Sequence, residues 1–197
     1  MATFDTVILG EHEKIRTLWR EVKEKNNAEA ANSLITQICV HFGMEAMVVY
    51  PEIRKRVPDG DQLARKLLQQ HLLIENRLAE LQQQRQQLPT TEEDSQWAIL
   101  EEVIPKLYEM MEDFENNVLP PLKRALSEER QRELASRLEQ SRNKVPHRPH
   151  RHMAREQLNA KLANAMAAPA DRMPHVLLPP PPPKAADVGH PSSPSTS

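Results

Sequence analysis

The sequence has one cysteine, Cys39, so no disulfide can form within the chain, and a lone thiol suits a reducing compartment. It has only four glycines, and β-branched residues rarely alternate with polar ones, which argues against a sheet protein. Aromatics make up 4% of the chain. No run of 18 apolar residues occurs, so no transmembrane helix is expected. The first residues, Met1 to Asp5, lack a basic stretch followed by an apolar one, so no signal peptide is expected. No DNA-binding signature and no signalling domain are visible. Together these absences make the cytoplasm the expected location, with neither membrane nor nucleic acid as a partner.

What the chain does have is proline, 17 in all and most of them late, which points to a helical body followed by a different tail. Charge divides the same way. From Asn143 onward there are seven Lys/Arg and three Asp/Glu, about +4, whereas the preceding residues carry 19 and 25, about −6. Residues 1–142 are therefore expected to form one acidic domain and residues 143–197 a basic, then proline-rich, largely disordered tail.

Within the body, apolar residues recur at steps of three and four. A first helix is expected from Asp5 or Thr6 to Lys25, with Ile8, His12, Ile15, Trp19 and Val22 on one face. A second spans about 28–54, with Leu34, Ile38, His41, Glu45 and Val48, and Pro51 should bend or end it. A third runs from about 61 to 87, with Ala64, Leu67, His71 and Leu78 inward. Thr90 and Glu93 resemble a capping box before a fourth helix over about 92–118. Pro105 should kink that helix and Pro120-Pro121 should end it. Ser127 caps a short fifth helix to about Arg142. Long amphipathic helices with short connections read as an all-α fold, an antiparallel up-down four-helix bundle with a short extra helix and a disordered Pro-rich tail. In the tail, 153–167 could form a short helix, and the remainder reads as extended or disordered. The basic run from His147 to His152 holds three histidines, but its arginines oppose a cation, and it reads as solvated.

The chemistry lies on the apolar stripes. Of eight histidines, His12, His41 and His71 fall there, on three different helices. Glu45 and Glu75 each follow a histidine by four residues, one helical turn along the same face, and Glu115 follows Met111 by four. A buried carboxylate is costly unless it is paired or binds a metal. Bundle interiors of this composition are where carboxylate–histidine metal sites are built, and nitrogen plus carboxylate oxygen suits iron, manganese or zinc.

The order His12, then His41-x-x-x-Glu45 with Val48-Val49-Tyr50-Pro51, then His71, then Glu115 with Pro120-Pro121, resembles the hemerythrin family, specifically its HHE-type cation-binding domain. The resemblance covers about 5–126, extending to 142 at most. Glu45 to Pro51 and Glu115 to Pro121 have equal spacing, as a repeated motif requires. The resemblance implies a non-heme iron centre, dinuclear in the family, inside a four-helix bundle. Carboxylates matching Glu45 and Glu115 bridge the metals, His12 and His41 serve one metal, and His71 with residues 75 and 111 serves the other. Two positions depart from the pattern. Met111 stands where the family has histidine, and a thioether is a poor ligand for hard iron, which opens a mononuclear alternative. Ala46 stands where a second glutamate is usual. Tyr108, one turn before Met111, could supply a phenolate, although a core role accounts for it as well.

The function implied is that of a hemerythrin-like iron-binding protein that binds or reacts with dioxygen, peroxide or nitric oxide, its partner being that small ligand. The alternative is a degenerate bundle with one metal or none, acting as an interaction scaffold through its tail.

Overall fold

The computed structural model describes residues 2–87 and 93–149. These are helical throughout their ordered elements, with no strand among the described residues. Helix α1 spans Phe4–Lys25. It ends at Asn26, whose left-handed φ of 45° turns the chain. Asn27 then caps α2 (Ala28–Met44), its side-chain oxygen accepting from the Ala30 amide at 2.9 Å. A π-turn (Glu45–Val49) joins α2 directly to α3 (Tyr50–Arg56). Helix α4 spans Gly60–Gln87 and α5 spans Glu93–Asp113, continuing through a second π-turn (Phe114–Val118) into α6 (Leu119–Arg124). Ser127 caps α7 (Glu128–Ser141) as expected.

The two π-turns correct the expectation for Pro120-Pro121, which do not end their helix; it runs on to Arg124. Pro51 likewise falls inside a path that continues to Arg56. A proline ring clashes with the carbonyl four residues back and lacks an N–H. In both places the residue before the first proline donates its amide five residues back, Tyr50 to Glu45 and Leu119 to Phe114. That widened turn makes room for the ring without breaking the helix. Pro105 lies inside α5, which continues past it.

Helix α1 packs on α2, α3 on α4, α4 on α5, and α7 on α1. The path from Ala28 to Arg56 is the most apolar; an 18-residue window within it has mean hydropathy 1.3, and 72% of that window is buried, as suits the core helix of a bundle. The core falls into two apolar clusters. One gathers Ile15, Leu34, Ile38, Leu78, Leu100, Ile104 and Leu107. The other gathers Phe4, Ile8, Val48, Ile53, Leu67, Val118, Leu122 and Leu138. Burying each such Leu or Ile contributes about 1.5–3 kcal/mol, and these layers offset the cost of the polar groups held between them.

The end of α7 is tied to the first helices. Arg142 pairs with buried Glu11, which also accepts from Gln37 at 2.5 Å. Val145 is buried against Gly43, where an added Cβ would approach the Val145 Cβ to 2.6 Å, so only glycine fits. The proposed capping box at Thr90, the segment 153–167, the proline-rich end, and His150, His152, His175 and His190 lie outside the described residues. His147 is exposed.

Candidate metal centre

Three histidines from three helices meet between the two apolar clusters. His12 sits on α1 between Ile8 and Ile15, His41 on α2 after Ile38, and His71 on α4 between Leu67 and Ile74. All three are almost fully buried, as is Glu45 at 2% exposure. They surround a small cavity whose remaining wall is Met110, Met111 and Phe114 of the α5 path. The α5 side is therefore apolar, and its sulfurs are the only heteroatoms it offers there.

One nitrogen each of His12 and His41 and one oxygen of Glu45 lie within 4.8 Å of one another. Glu45 Oε1 is 3.6 Å from His41 Nε2 and 4.0 Å from His12 Nε2. Those gaps are too long for hydrogen bonds. Both ring nitrogens of His41 and Glu45 Oε1 are buried with no hydrogen-bond partner. Orphaned buried polar atoms are costly, and a cation between His41 Nε2 and Glu45 Oε1 would satisfy both. Burial, reinforced by the two other imidazoles, pushes His41 down to about 4, so it is neutral at pH 7 and keeps a lone pair for a metal. Burial would raise Glu45, but the three imidazoles outweigh it and hold the carboxyl well below the usual carboxylate range.

The expected site residues occupy different places around this core. Glu45 Oε2 faces the other way, 3.2 Å from His71 Nε2. Glu115 is one-fifth exposed, at 22% of its side chain, and lies outside the ring of histidines. Its Oε1 is 2.6 Å from His12 Nδ1 and accepts from Arg16 Nη2 at 2.8 Å. A His12 ring that donates from Nδ1 to the Glu115 carboxylate presents the Nε2 lone pair inward, an arrangement common around metal-bound histidines. Arg16 and His12 hold the Glu115 carboxyl below its ordinary range against the effect of partial burial. Glu75 is half-buried on α4, off the cavity wall, and burial pushes it up to about 7. Tyr108 is also off the wall, half-buried against the first core cluster and facing Arg16, Arg20 and Glu13 of α1.

The structure adds a residue that sequence reasoning missed. Tyr50 is 4% exposed; its hydroxyl is 3.3 Å from Glu45 Oε2 and 2.9 Å from both ring nitrogens of His71. Burial and the Glu45 charge push its phenol well above the ordinary range. In a regular helix, a residue five positions on lies about 140° around the axis. The π-turn brings Tyr50 back over Glu45, and no apolar periodicity signals that insertion. Phe42 stacks on His71 with ring centroids 3.7 Å apart and planes 9° apart, which fixes the imidazole's orientation. Arg16, on the surface side of α1, was equally invisible as a partner for a carboxylate 99 residues away.

The profile described as the hemerythrin HHE cation binding domain matches residues 3–122. An uncharacterized hemerythrin-like protein of Schizosaccharomyces pombe is 24% identical over 178 residues, which cover 88% of this chain and 85% of the relative. No solved structure matches.

Proposed function

The chain belongs to the hemerythrin HHE cation-binding family, and from that premise we propose that it is an iron-binding protein whose centre takes a small neutral molecule such as dioxygen or nitric oxide. The observation that carries this reading is a pair of buried atoms without hydrogen-bond partners, His41 Nε2 and Glu45 Oε1, beside His12 Nε2. In this reading His12, His41 and Glu45 hold one iron, and His71 stands on the second oxygen of Glu45. Glu115 acts through His12, fixing its tautomer, while Arg16 holds Glu115 in place. Glu75 is a neighbour whose charge reaches Tyr50 without lining the cavity.

Iron held there by His12, His41 and Glu45 would supply a Lewis-acidic, redox-active centre for a small ligand. The protein supplies its surroundings. Met110, Met111 and Phe114 form an apolar wall of the cavity, which would favour a small uncharged ligand over a charged one. The apolar clusters on either side exclude bulk water. The scaffold consistent with this reading is an antiparallel up-down four-helix bundle, supported by the packing of consecutive helices on one another. In this reading the domain is residues 1–142, the rest being an appendage.

The test is metal analysis of full-length protein, produced without a histidine tag and supplied with ferrous iron. At least about one iron per chain is expected, lost in the presence of a strong chelator and accompanied by a lower melting temperature. Protein that stays metal-free after iron, manganese and zinc supplementation would sink the reading and leave a scaffold role.

A further inference from the structure

The residues that follow α7 make two contacts right beside the proposed ligands. Glu11 directly precedes His12 and is buried at 5% exposure, and Arg142 pairs with it. The same carboxylate accepts from Gln37, which stands one turn before His41 on α2. Gly43 lies midway between His41 and Glu45, and buried Val145 is packed on it. The chain then stays on the bundle to Pro149, which is buried as well. Helix α7 itself packs on α1 and on the π-turn that carries Glu45. All of these residues lie beyond the 3–122 matched by the family profile. We propose that Arg142 and Val145 position the metal ligands from behind, so that segment 142–149 is a strap whose closure and iron binding reinforce each other. This rests on the reading of an iron centre at His12, His41 and Glu45.

Releasing either grip has a physical consequence at a ligand. Without the Arg142 guanidinium, Glu11 is a buried carboxylate left with Gln37 alone, and it turns toward water. The turn of α1 that carries His12 is then no longer held against α2. Without Val145, the back of α2 has a void at Gly43, between two ligands, which closes only by a shift of the helix. A metal site needs its side chains within about 0.5 Å of their bonding positions, and a close-packed interior passes such shifts on. The other ion pairs of this region reach less far. Lys123 pairs with Asp5 and Arg130 with Glu52, each seven residues along the chain from the nearest ligand. The coupling runs both ways. Held on one iron, His12, His41 and Glu45 keep α1 and α2 at the spacing that Arg142 and Val145 grip. The factor by which strap release weakens iron therefore equals the factor by which iron suppresses release.

Amide hydrogen exchange on the full chain, metal-free and iron-loaded, reads the strap directly. The Lys144 amide, which donates to the Ser141 carbonyl at 2.8 Å, should exchange about tenfold more slowly with iron bound. The Gly60 amide, which donates to Val57 in a turn away from the strap, should be unaffected. By chelator competition, iron affinity should fall about tenfold in Arg142→Gln and in Gly43→Ala, whose added methyl group expels Val145. Val145→Gly returns that space and should restore affinity to the Gly43→Ala chain. Arg148→Gln, at an exposed position of the same segment, should leave affinity unchanged. Lys144 exchange unaltered by iron, or Arg142→Gln with wild-type affinity, overturns the proposal. The exchange measurement needs no variant and decides the question should Arg142→Gln fail to fold. Iron bound with unaltered exchange removes the strap alone; a chain that takes up no iron removes the centre on which it rests.

Discussion

The path through α2 and α3 and the path through α5 and α6 use the same backbone device and differ in chemistry. Each long helix reaches a proline, and each opens a π-turn just before it. Matched by those turns, Pro51 corresponds to Pro120 and Glu45 to Phe114, because Tyr50 and Leu119 each donate five residues back. Glu45 and Phe114 are both 2% exposed and both line the cavity. Glu115 then falls at the place of Ala46, partly exposed to the side, although its sequence spacing to Pro121 equals that from Glu45 to Pro51. One copy thus turns a carboxylate into the core with a histidine a turn before it. The other turns a phenyl ring inward with methionines before it, and its carboxylate grips His12 from outside. A matched backbone device can therefore recur while only one copy turns a histidine and a carboxylate inward.

The comparison can be broken at its strongest point. Glu45→Ala should abolish iron binding, because it removes the carboxylate that faces His12 and His41 with one oxygen and His71 with the other; iron content unchanged from wild type would refute the central place given to this copy. Acid should act next. His41 stays neutral in the fold to about pH 4, whereas in the unfolded chain it protonates near its ordinary 6.5. The unfolded chain therefore binds more protons between those values, and stability falls as pH drops through them. For metal-free protein the loss from His41 is about 3 kcal/mol. Glu75 works the opposite way, since a carboxyl raised to about 7 binds protons in the fold that the unfolded chain releases. Urea melts from pH 7 to 4 should show a clear fall in the Glu75→Gln background that His41→Gln flattens; parallel curves for the two would contradict the assignment.

The outer copy should matter less. Glu115→Gln weakens the hold on His12 and should cost about 10- to 100-fold in iron affinity, measured by chelator competition, with iron content at saturation retained. Loss of all iron would instead make Glu115 a direct ligand. The smallest expected effect is a gain. Met111→His adds a nitrogen to the apolar wall and should tighten iron by roughly tenfold; no change would show that this position does not reach the metal.

Much of this was legible in the chain. The helices on either side of Asn26-Asn27, the caps at Asn27 and Ser127, and the three inward histidines all follow from local rules of periodicity and capping. Their convergence was legible too, because three histidines on three apolar stripes must meet in one core. Equal spacing to a proline was less reliable. It paired Glu45 with Glu115, but the register of a helix past a proline depends on where the turn widens, and that is settled by packing around the ring. Tyr50 was hidden by the same cause, since five residues is the wrong step for an α-helix and the right one for a π-turn.

The sequence by itself determined that helices form, which faces they bury, and that His12, His41, Glu45 and His71 share an interior, because periodicity and the cost of burying polar groups act along the chain. Only the tertiary structure decided which oxygen of Glu45 faces which histidine, that Arg16 and His12 capture Glu115, and that Tyr50 joins His71. Those outcomes depend on groups distant in sequence competing for the same few ångströms of buried space, and no local pattern records which of them arrives.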